Sequence, residues 1–439
     1  MLRDRDFARF FAGYATSLLG TSMSALAVSF AVLDTGGTAS DLGVVLAAGI
    51  VPQVLFMLGG GVIADRLGRR PVMLGADAAR CAAQAALAAA VFAGRPALWV
   101  FVVLAVVRGT GDAVFTPALS GLTTELAPRD DLVNANALLT AARSAAAVAG
   151  PGLAGILVAL AGPGTVIALD AASYAVSVVA LASLRLPPAR ARAARSYLQD
   201  LRDGWAEFRG RPWLVITTVQ FTLFNLLTWG PYLLLGPVLS RDYLGGAGAW
   251  GAIMACYGGG SMLGAGAALG RNPSRPMIAA TVAAFGYGVP CALLALHAPL
   301  VAVAAGALAA GAGSALGGTF AAAAEQQQLP AGVLARVTAF QTVTAFALGP
   351  LAFAAAGPVA AVAGARAVLG FGAAWSTLSC GAVLLFPAVR AVTAPPPAPL
   401  VATIDHGQCR HFPRDVRPGG CFARFRRTLR RKSGPEGPA

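Results

Sequence analysis

Charge is scarce in this chain. Only 12% of its 439 residues are Asp, Glu, Lys or Arg, about half the fraction usual in soluble domains. With 57% hydrophobic residues, that scarcity excludes an ordinary water-soluble domain. Lysine is almost missing: Lys432 stands alone among 33 basic residues, a usage that fits GC-rich coding. Histidine is confined to His297, His406 and His411. No nucleophile, base and orienting group can be assembled from these residues, so the chain is not expected to be an enzyme. A phosphate-binding Gly-x4-Gly-Lys-Ser/Thr loop is also absent, which leaves an ion gradient rather than ATP as the energy source. No cofactor is implied. Of six cysteines, Cys81, Cys256, Cys291 and Cys380 fall in apolar runs, while Cys409 and Cys421 fall in the C-terminal tail. None is placed for a structural disulfide.

Long apolar runs are present instead. About twelve recur, near residues 10–33, 42–64, 72–93, 97–117, 135–160, 165–186, 213–236, 249–270, 277–296, 300–321, 336–360 and 366–388. Each has about the 20 residues that a helix needs to cross a bilayer. The runs are continuous rather than alternating, which excludes a strand barrel. The first is too long for a cleavable signal, and others follow it at once. The expected fold is an all-α membrane protein of twelve transmembrane helices in two pseudo-symmetric six-helix bundles.

The net charge of +14 raises the question of nucleic acid, and the placement of the basic residues answers it. With the N-terminus taken as inside, 27 of the 33 fall on inner loops and tails. Three (Arg95, Arg241, Arg366) fall outside, and three (Arg80, Arg108, Arg143) fall within runs. This is the positive-inside pattern, with both termini cytoplasmic and anionic inner-leaflet lipid as the partner of the basic segments. No basic stretch interleaves with stacking aromatics, so no nucleic acid is expected.

Residues 187–212 form a basic connector between an N-terminal bundle (1–186) and a C-terminal bundle (213–390). Leu198, Leu201, Trp205 and Phe208 have helical spacing in the connector, as an amphipathic helix lying on the inner membrane surface would. "RRPVM" at 69–73 answers "SRPMI" at 274–278. "LAPRDDLVNANAL" at 126–138 answers "QLPAGVLARVTAF" at 328–340, and Gly150-Pro151 answers Gly349-Pro350. Three matches in order point to a duplicated six-helix unit. The tail, 391–439, is basic and proline-rich, of a composition that resists folding and adheres to anionic lipid. His406, Cys409, His411 and Cys421 match no zinc spacing, so no metal is expected.

The stretch "GGGVIADRLGRRPVML" (59–74) packs charge into a short inner loop. Arg66, Arg69 and Arg70 would meet the anionic leaflet, and Gly68 permits a tight bend. Asp65 is left to accept backbone N–H groups or pair with an arginine while the halves are closed on that side. At Gly61-Val62-Ile63-Ala64-Asp65-Arg66-Leu67-Gly68-Arg69-Arg70 the sequence resembles the major facilitator superfamily signature, with Ile63 for Leu as the main departure. Residues 114–157, "SLLGTSMSALAVSF", "LDAASYAVS" and "LARVTAF" are similar to the branch holding the enterobactin exporter and macrolide efflux proteins. The resemblance covers about residues 7–388. It implies that Asp65, Arg66 and Arg70 latch the inner gate in the outward-facing state. Gly150-Pro151 resembles the antiporter motif of exporters, and close packing of small residues would explain it equally well.

Charges inside the membrane cost about 2.5–3.5 kcal/mol on insertion scales, so they are functional candidates. Arg108 and Asp112 lie one turn apart in the fourth run, and Arg143 reaches similar depth in the fifth. Asp112 is read either as a proton-exchanging carboxylate governed by Arg108 or Arg143, or as half of a permanent neutral pair. The Arg-x-x-Gln-Gly pattern of the family is kept only in part, with Gly111 and Asp112 at the last two positions. Asp77 and Arg80 are expected to be shallow enough to snorkel. Asp170 belongs to a landmark of the branch. Glu325, with three glutamines after it, reads as a solvated cluster. Asn225, Trp229 and Gln341 are candidate cavity-lining residues.

The expected activity is proton-coupled export of a small amphipathic compound, a drug or a siderophore-like metabolite, across a bacterial inner membrane by a monomer. Two alternatives stay open: a lipid or lysolipid mover of the same fold, and a membrane sensor that binds ligand without transporting it.

Overall fold

A computed structural model describes residues 4–56, 67–126, 131–184, 205–329 and 347–394, with residues 334, 337, 338, 340, 341 and 344 between the last two stretches. Every regular element among them is helical. Twelve rods follow one another: α1 (Arg5–Asp34), α2 (Ala39–Phe56), α3 (Arg69–Phe92), α4 (Leu98–Leu126), α5 (Leu132–Ala161) and α6 (Pro163–Ala182) come first. Then come α7 (Pro212–Leu244), α8 (Ala247–Ala268), α9 (Pro276–Ala295), α10 (Leu300–Gln328), α11 (Gly349–Ala363) and α12 (Ala365–Leu385). Among the described residues, nine are long and apolar enough to cross a membrane. Of the other three, α3 carries buried polar groups, α8 is rich in glycine, and the described part of α11 has 15 residues.

Local chemistry sets the ends of the rods. Asp4 caps α1, its carboxylate accepting the N–H groups of Asp6 and Phe7 at 2.9 and 3.0 Å. Proline opens α6, α7, α9 and α11, where no helical donor is lost. Gly162 alone turns α5 into α6 at φ 81°, and Gly364 alone turns α11 into α12 at φ 87°, conformations that a side chain would oppose. These glycines are 202 residues apart. α4 and α10 are each 29 residues long, and both of their ends are also 202 residues apart. The repeat that three short matches suggested therefore holds a 202-residue register along α4 and α10 and at the α5–α6 and α11–α12 turns.

Successive rods alternate in direction. The near face is where odd-numbered helices begin, and the far face is where they end. Within the first half α1 packs on α5 and α6, and α3 packs on α4 and α6. Within the second, α10 packs on α8 and α9, and α12 packs on α9. The two most extensive contacts between the halves are α2 with α11 and α5 with α8, and smaller ones bring α7 against α1 and α2 and α1 against α8. Shifting each helix number by six exchanges the two most extensive contacts, as parallel repeats about an axis along the membrane normal require.

One apolar core spans both halves at the far face, where Leu26, Val45, Leu234, Trp250 and Phe353 belong to a single cluster. Near the other face the described residues form two separate cores, one around Phe7, Met73 and Leu122, the other around Trp213, Met277 and Val383. Glycine permits the closure. A Cβ on Gly251 (α8) would lie 2.7 Å from both Gly155 Cα and the Pro151 carbonyl oxygen of α5, so the two backbones touch. Arg241 at the end of α7 adds a hydrogen bond from Nη1 to the Leu33 carbonyl at the end of α1.

The connector is described only at its end. Residues 205–209 are helical, and Phe208 is buried in the second-half core with its ring 4.8 Å from that of Phe340. Within this end Phe208 packs on protein, while Trp205 stays exposed. Leu198, Leu201 and the tail from Pro395 lie outside the described residues.

Candidate functional site

Asp112 is the midpoint of α4, fourteen residues from either end and so roughly 21 Å from each at 1.5 Å per residue. Arg80 lies at the middle of α3, and the two helices pack together. Arg80 Nη1 donates to Asp112 Oδ1 at 2.8 Å, while Nη2 donates to Asp77 one turn away. The Arg80 guanidinium also lies over two rings, 4.2 Å from the Phe115 centroid and 4.6 Å from that of Tyr174. Ser177 of α6 donates to the second oxygen of Asp77 at 2.6 Å. Arg108 stands on the other side of Asp112, with Nη2 3.6 Å from Oδ2. Two carboxylates and two guanidiniums thus alternate in one row, Asp77, Arg80, Asp112 and Arg108, neutral in sum.

The row corrects the reading of Asp77 and Arg80 as a shallow pair. Asp77 is fully buried, and Arg80 is 4% exposed. Two aromatic faces and two carboxylates hold the guanidinium at mid-helix, where it cannot snorkel. Arg143 does not join the row. It is exposed on α5 and donates from Nε to the Tyr14 hydroxyl at 2.8 Å. Asp170 forms a second buried group with Gln84, whose Nε2 donates to Asp170 Oδ2 and to Ser24 Oγ, and it lies within electrostatic reach of Arg108. Tyr174 bonds Thr21 of α1 at 2.7 Å, so α1, α3, α4 and α6 share one polar seam.

The seam opens on a cavity of about 280 Å³ between the halves. Arg108, Asp112, Gln84, Gln53, Ser22 and Ser29 are its polar lining from the first half, and Leu233, Trp250, Met254 and Phe353 cover it from the second. A few polar groups in an apolar chamber are what a small amphipathic ligand requires. Pro151 also lines this chamber, and Gly150 beside it lets α5 pass close to Ser22 of α1. Gly349-Pro350 opens α11, with Gly349 against Ile50 of α2. The paired glycine–proline sites therefore both lie where the halves meet.

The expected cavity residues divide differently. Asn225 donates back to the Phe221 carbonyl at 2.8 Å inside the π-turn Asn225–Trp229 of α7. Trp229 packs its ring on Tyr232 and Tyr257. Neither lines the central chamber. Gln341 lines a second cavity of about 350 Å³ within the second half, where its Nε2 donates to Glu325 Oε1 at 3.0 Å and Thr218 Oγ1 at 3.2 Å. Glu325 is half-buried, which corrects its reading as one of a solvated cluster.

At the near face, Gly61, Asp65 and Arg66 lie outside the described residues. Gly68 caps α3 at φ 89°. Arg69 donates to the Gly121 carbonyl at 2.7 Å and Glu125 at 2.9 Å of α4. Arg70 donates to the carbonyls of Leu181 and Ala182 at the end of α6. Arg69 thus reaches the last turns of α4 and Arg70 the carbonyl-rich end of α6, so both hold protein groups rather than only lipid. Gln84, Gln53 and Ser177 were missed by sequence reasoning. Their signal was a polar side chain in an apolar run, weaker than a charge but of the same kind.

Fold and site together define a multi-pass helical membrane protein whose two six-helix bundles enclose a partly charged central chamber. The chain belongs to the major facilitator superfamily, whose family model matches residues 7–354. It is 26% identical over 243 residues to macrolide efflux protein A of Streptococcus pyogenes, across 55% of this chain and 60% of that one. It is 29% identical over 237 residues to the multidrug efflux pump Tap of Mycolicibacterium fortuitum, across 52% and 57%. The chain thus spans about three fifths of the length of the curated relatives it matches. Among solved structures it is similar in fold to the nucleoside transporter NupG, with TM-score 0.70, 14% identity and coverage of 87% and 98%. A bacterial homolog of the human lysosomal transporter Spinster, in an inward-facing conformation, gives TM-score 0.65 at 12% identity, with coverage of 90% and 99%.

Proposed function

We propose that the chain is a secondary active transporter that exports a small amphipathic compound, a drug or a siderophore-like metabolite, in exchange for protons. The observation that carries this reading is Asp112: mid-helix, on the chamber wall, between Arg80 and Arg108. A proton on Asp112 cancels its attraction for both guanidiniums. Arg80 then keeps Asp77 as its counter-ion, and Arg108 is left facing the chamber with only the more distant Asp170 as counter-charge. A neutral row thus becomes a cationic one, which changes what the chamber holds and which closure of the halves is favoured.

The near face, basic in its loops, is taken as cytoplasmic, in the bacterial inner membrane. The closed far face and separate near-face cores then correspond to a state open to the cytoplasm. Two bundles, 1–186 and 213–390, rock about the contacts of α2 with α11 and α5 with α8, joined by the connector at 187–212. The loop residues Gly61, Asp65, Arg66 and Gly68 complete a latch when the near face closes, while Arg69 and Arg70 stay bound to α4 and α6. The basic connector and tail hold anionic lipid, and the monomer is the working unit.

The test is proton flux by purified protein in proteoliposomes on addition of a panel of amphipathic drugs and catechol metabolites. A compound-dependent flux lost in Asp112→Asn supports exchange. Compound binding without flux in the parent protein refutes it and favours the sensor.

A further inference from the structure

The second cavity carries a further assignment. It lies inside the second half, walled by α7, α9 and α10 and by Gln341, and its volume is about 350 Å³. The 202-residue register explains why it is there. In the first half three of the corresponding positions are filled. Phe115 (6% exposed), Leu139 (4%) and Thr123 (2%) are buried there, with Phe115 stacked under Arg80. Their counterparts are Gly317, Gln341 and Glu325, and all three line the cavity. A ring has been replaced by hydrogen, a leucine by an amide and a threonine by a carboxylate. Volume was removed and negative charge introduced at one place.

Glu325 sits in the last turn of α10. The unpaired carbonyls of a helix C-terminus add negative potential where its carboxylate already supplies a full charge. Gln341 donates one amide hydrogen bond to that carboxylate, which orients it without neutralising it. The remaining walls mix apolar and aromatic side chains, Phe221, Tyr287 and Met277 among them, with uncharged polar ones such as Gln220 and Thr281. A carboxylate at one end of a chamber with ring faces beside it suits a cation with an apolar body. A metal ion would need several oxygen ligands, and no group of three or more acidic, histidine or cysteine side chains suited to a metal occurs among the described residues.

We propose that this cavity is a binding site for lipophilic organic monocations, distinct from the central chamber, with Glu325 as counter-charge. The assignment concerns binding alone and stands whether or not the chain transports by proton exchange.

Full-length protein in lipid nanodiscs is dialysed against radiolabelled tetraphenylphosphonium, with uncharged triphenylphosphine oxide as the control. Glu325→Gln keeps the shape and removes the charge. Gly318→Leu fills the cavity from a wall position where an added Cβ meets nothing within 4 Å. Asp112→Asn removes the carboxylate of the central chamber. The expected result is a loss of affinity of about tenfold or more in Glu325→Gln and Gly318→Leu, less than twofold in Asp112→Asn, and no comparable binding of the uncharged control. Absence of cation binding to the parent protein overturns the proposal. So does unchanged affinity in Glu325→Gln, or a loss seen only in Asp112→Asn. If Glu325→Gln does not fold, Gly318→Leu decides alone, and retained affinity there overturns the assignment.

Discussion

Replacing Gly251 by alanine should open the far face. The added Cβ would lie 2.7 Å from Gly155 Cα, 2.7 Å from the Pro151 carbonyl oxygen and 3.1 Å from Gly155 N. All three are backbone atoms, so no rotamer change relieves the overlap, and α5 and α8 must separate by about 0.7 Å to reach ordinary contact near 3.4 Å. Overpacking of this kind costs about 1–3 kcal/mol. The penalty falls only on the state in which these helices touch, so it shifts the balance between far-closed and far-open states by about 5- to 150-fold. Gly259→Ala on the same helix is the control, since its Cβ meets nothing within 4 Å. Spin labels at Thr38 and Asp242, on the two halves at the far face, report the separation after the native cysteines are replaced by serine. A longer-distance population in Gly251→Ala but not in Gly259→Ala is expected. Identical distance distributions in both would refute the argument that this backbone contact closes the far face.

Arg80→Met leaves Asp77 and Asp112 facing each other without their shared cation, and a buried pair broken on one side loses about 3–5 kcal/mol. Thermal unfolding in detergent should show a large decrease, and a change within error would refute the shared pairing. Arg241→Gln removes the charged donor to the Leu33 carbonyl. A single cysteine at Ser22, on the chamber wall, should then react faster with a membrane-impermeant thiol reagent added from the far side, and an unchanged rate would assign the closure to packing alone. Arg143→Gln should leave compound-dependent proton flux within twofold, because Arg143 bonds Tyr14 rather than Asp112. A complete loss would return Arg143 to the coupling group.

The helices and their number were legible because a bilayer imposes one crude rule, a long apolar run, that composition alone can reveal. The charges on α4 were legible for the same reason: Arg108 and Asp112 interrupt such a run one turn apart. Depth was harder to read. Asp77 and Arg80 looked shallow because the apolar run was taken to begin at residue 72, whereas α3 begins at Arg69 and presents Arg80 to rings on α4 and α6. Partners from other helices decide where such a group sits, and one sequence does not show them. The same limit separated Arg143 from Asp112, which share a depth but not a face. The second cavity was hidden for another reason. Gly317, among many glycines, gives no signal until its counterpart is known to be Phe115.

The register that exposes that exchange also explains why the two halves cannot do the same work. Arg108 and Asp112 correspond to Ala310 and Ser314, and α9 carries no charged residue between Pro276 and Ala295 to answer Asp77 and Arg80. The first half therefore carries the whole mid-membrane charge row, and the second meets it across the chamber with Leu233, Trp250, Met254 and Phe353. A charge row facing an apolar wall can gain or lose a proton without an opposing charge to hold the halves shut. Had Asp112 paired across the chamber, the strongest electrostatic contact would have been a lock, and each cycle would have had to break it in low dielectric. Pairing within one bundle leaves closure to reversible contacts of small residues and apolar side chains, and leaves the carboxylate free to respond to what enters the chamber. A basic residue introduced at Met254 on the apolar wall should therefore trap the protein in one state. Met254→Lys with slowed exchange, restored by adding Asp112→Asn, would bear this out, and unaltered exchange in Met254→Lys would refute it.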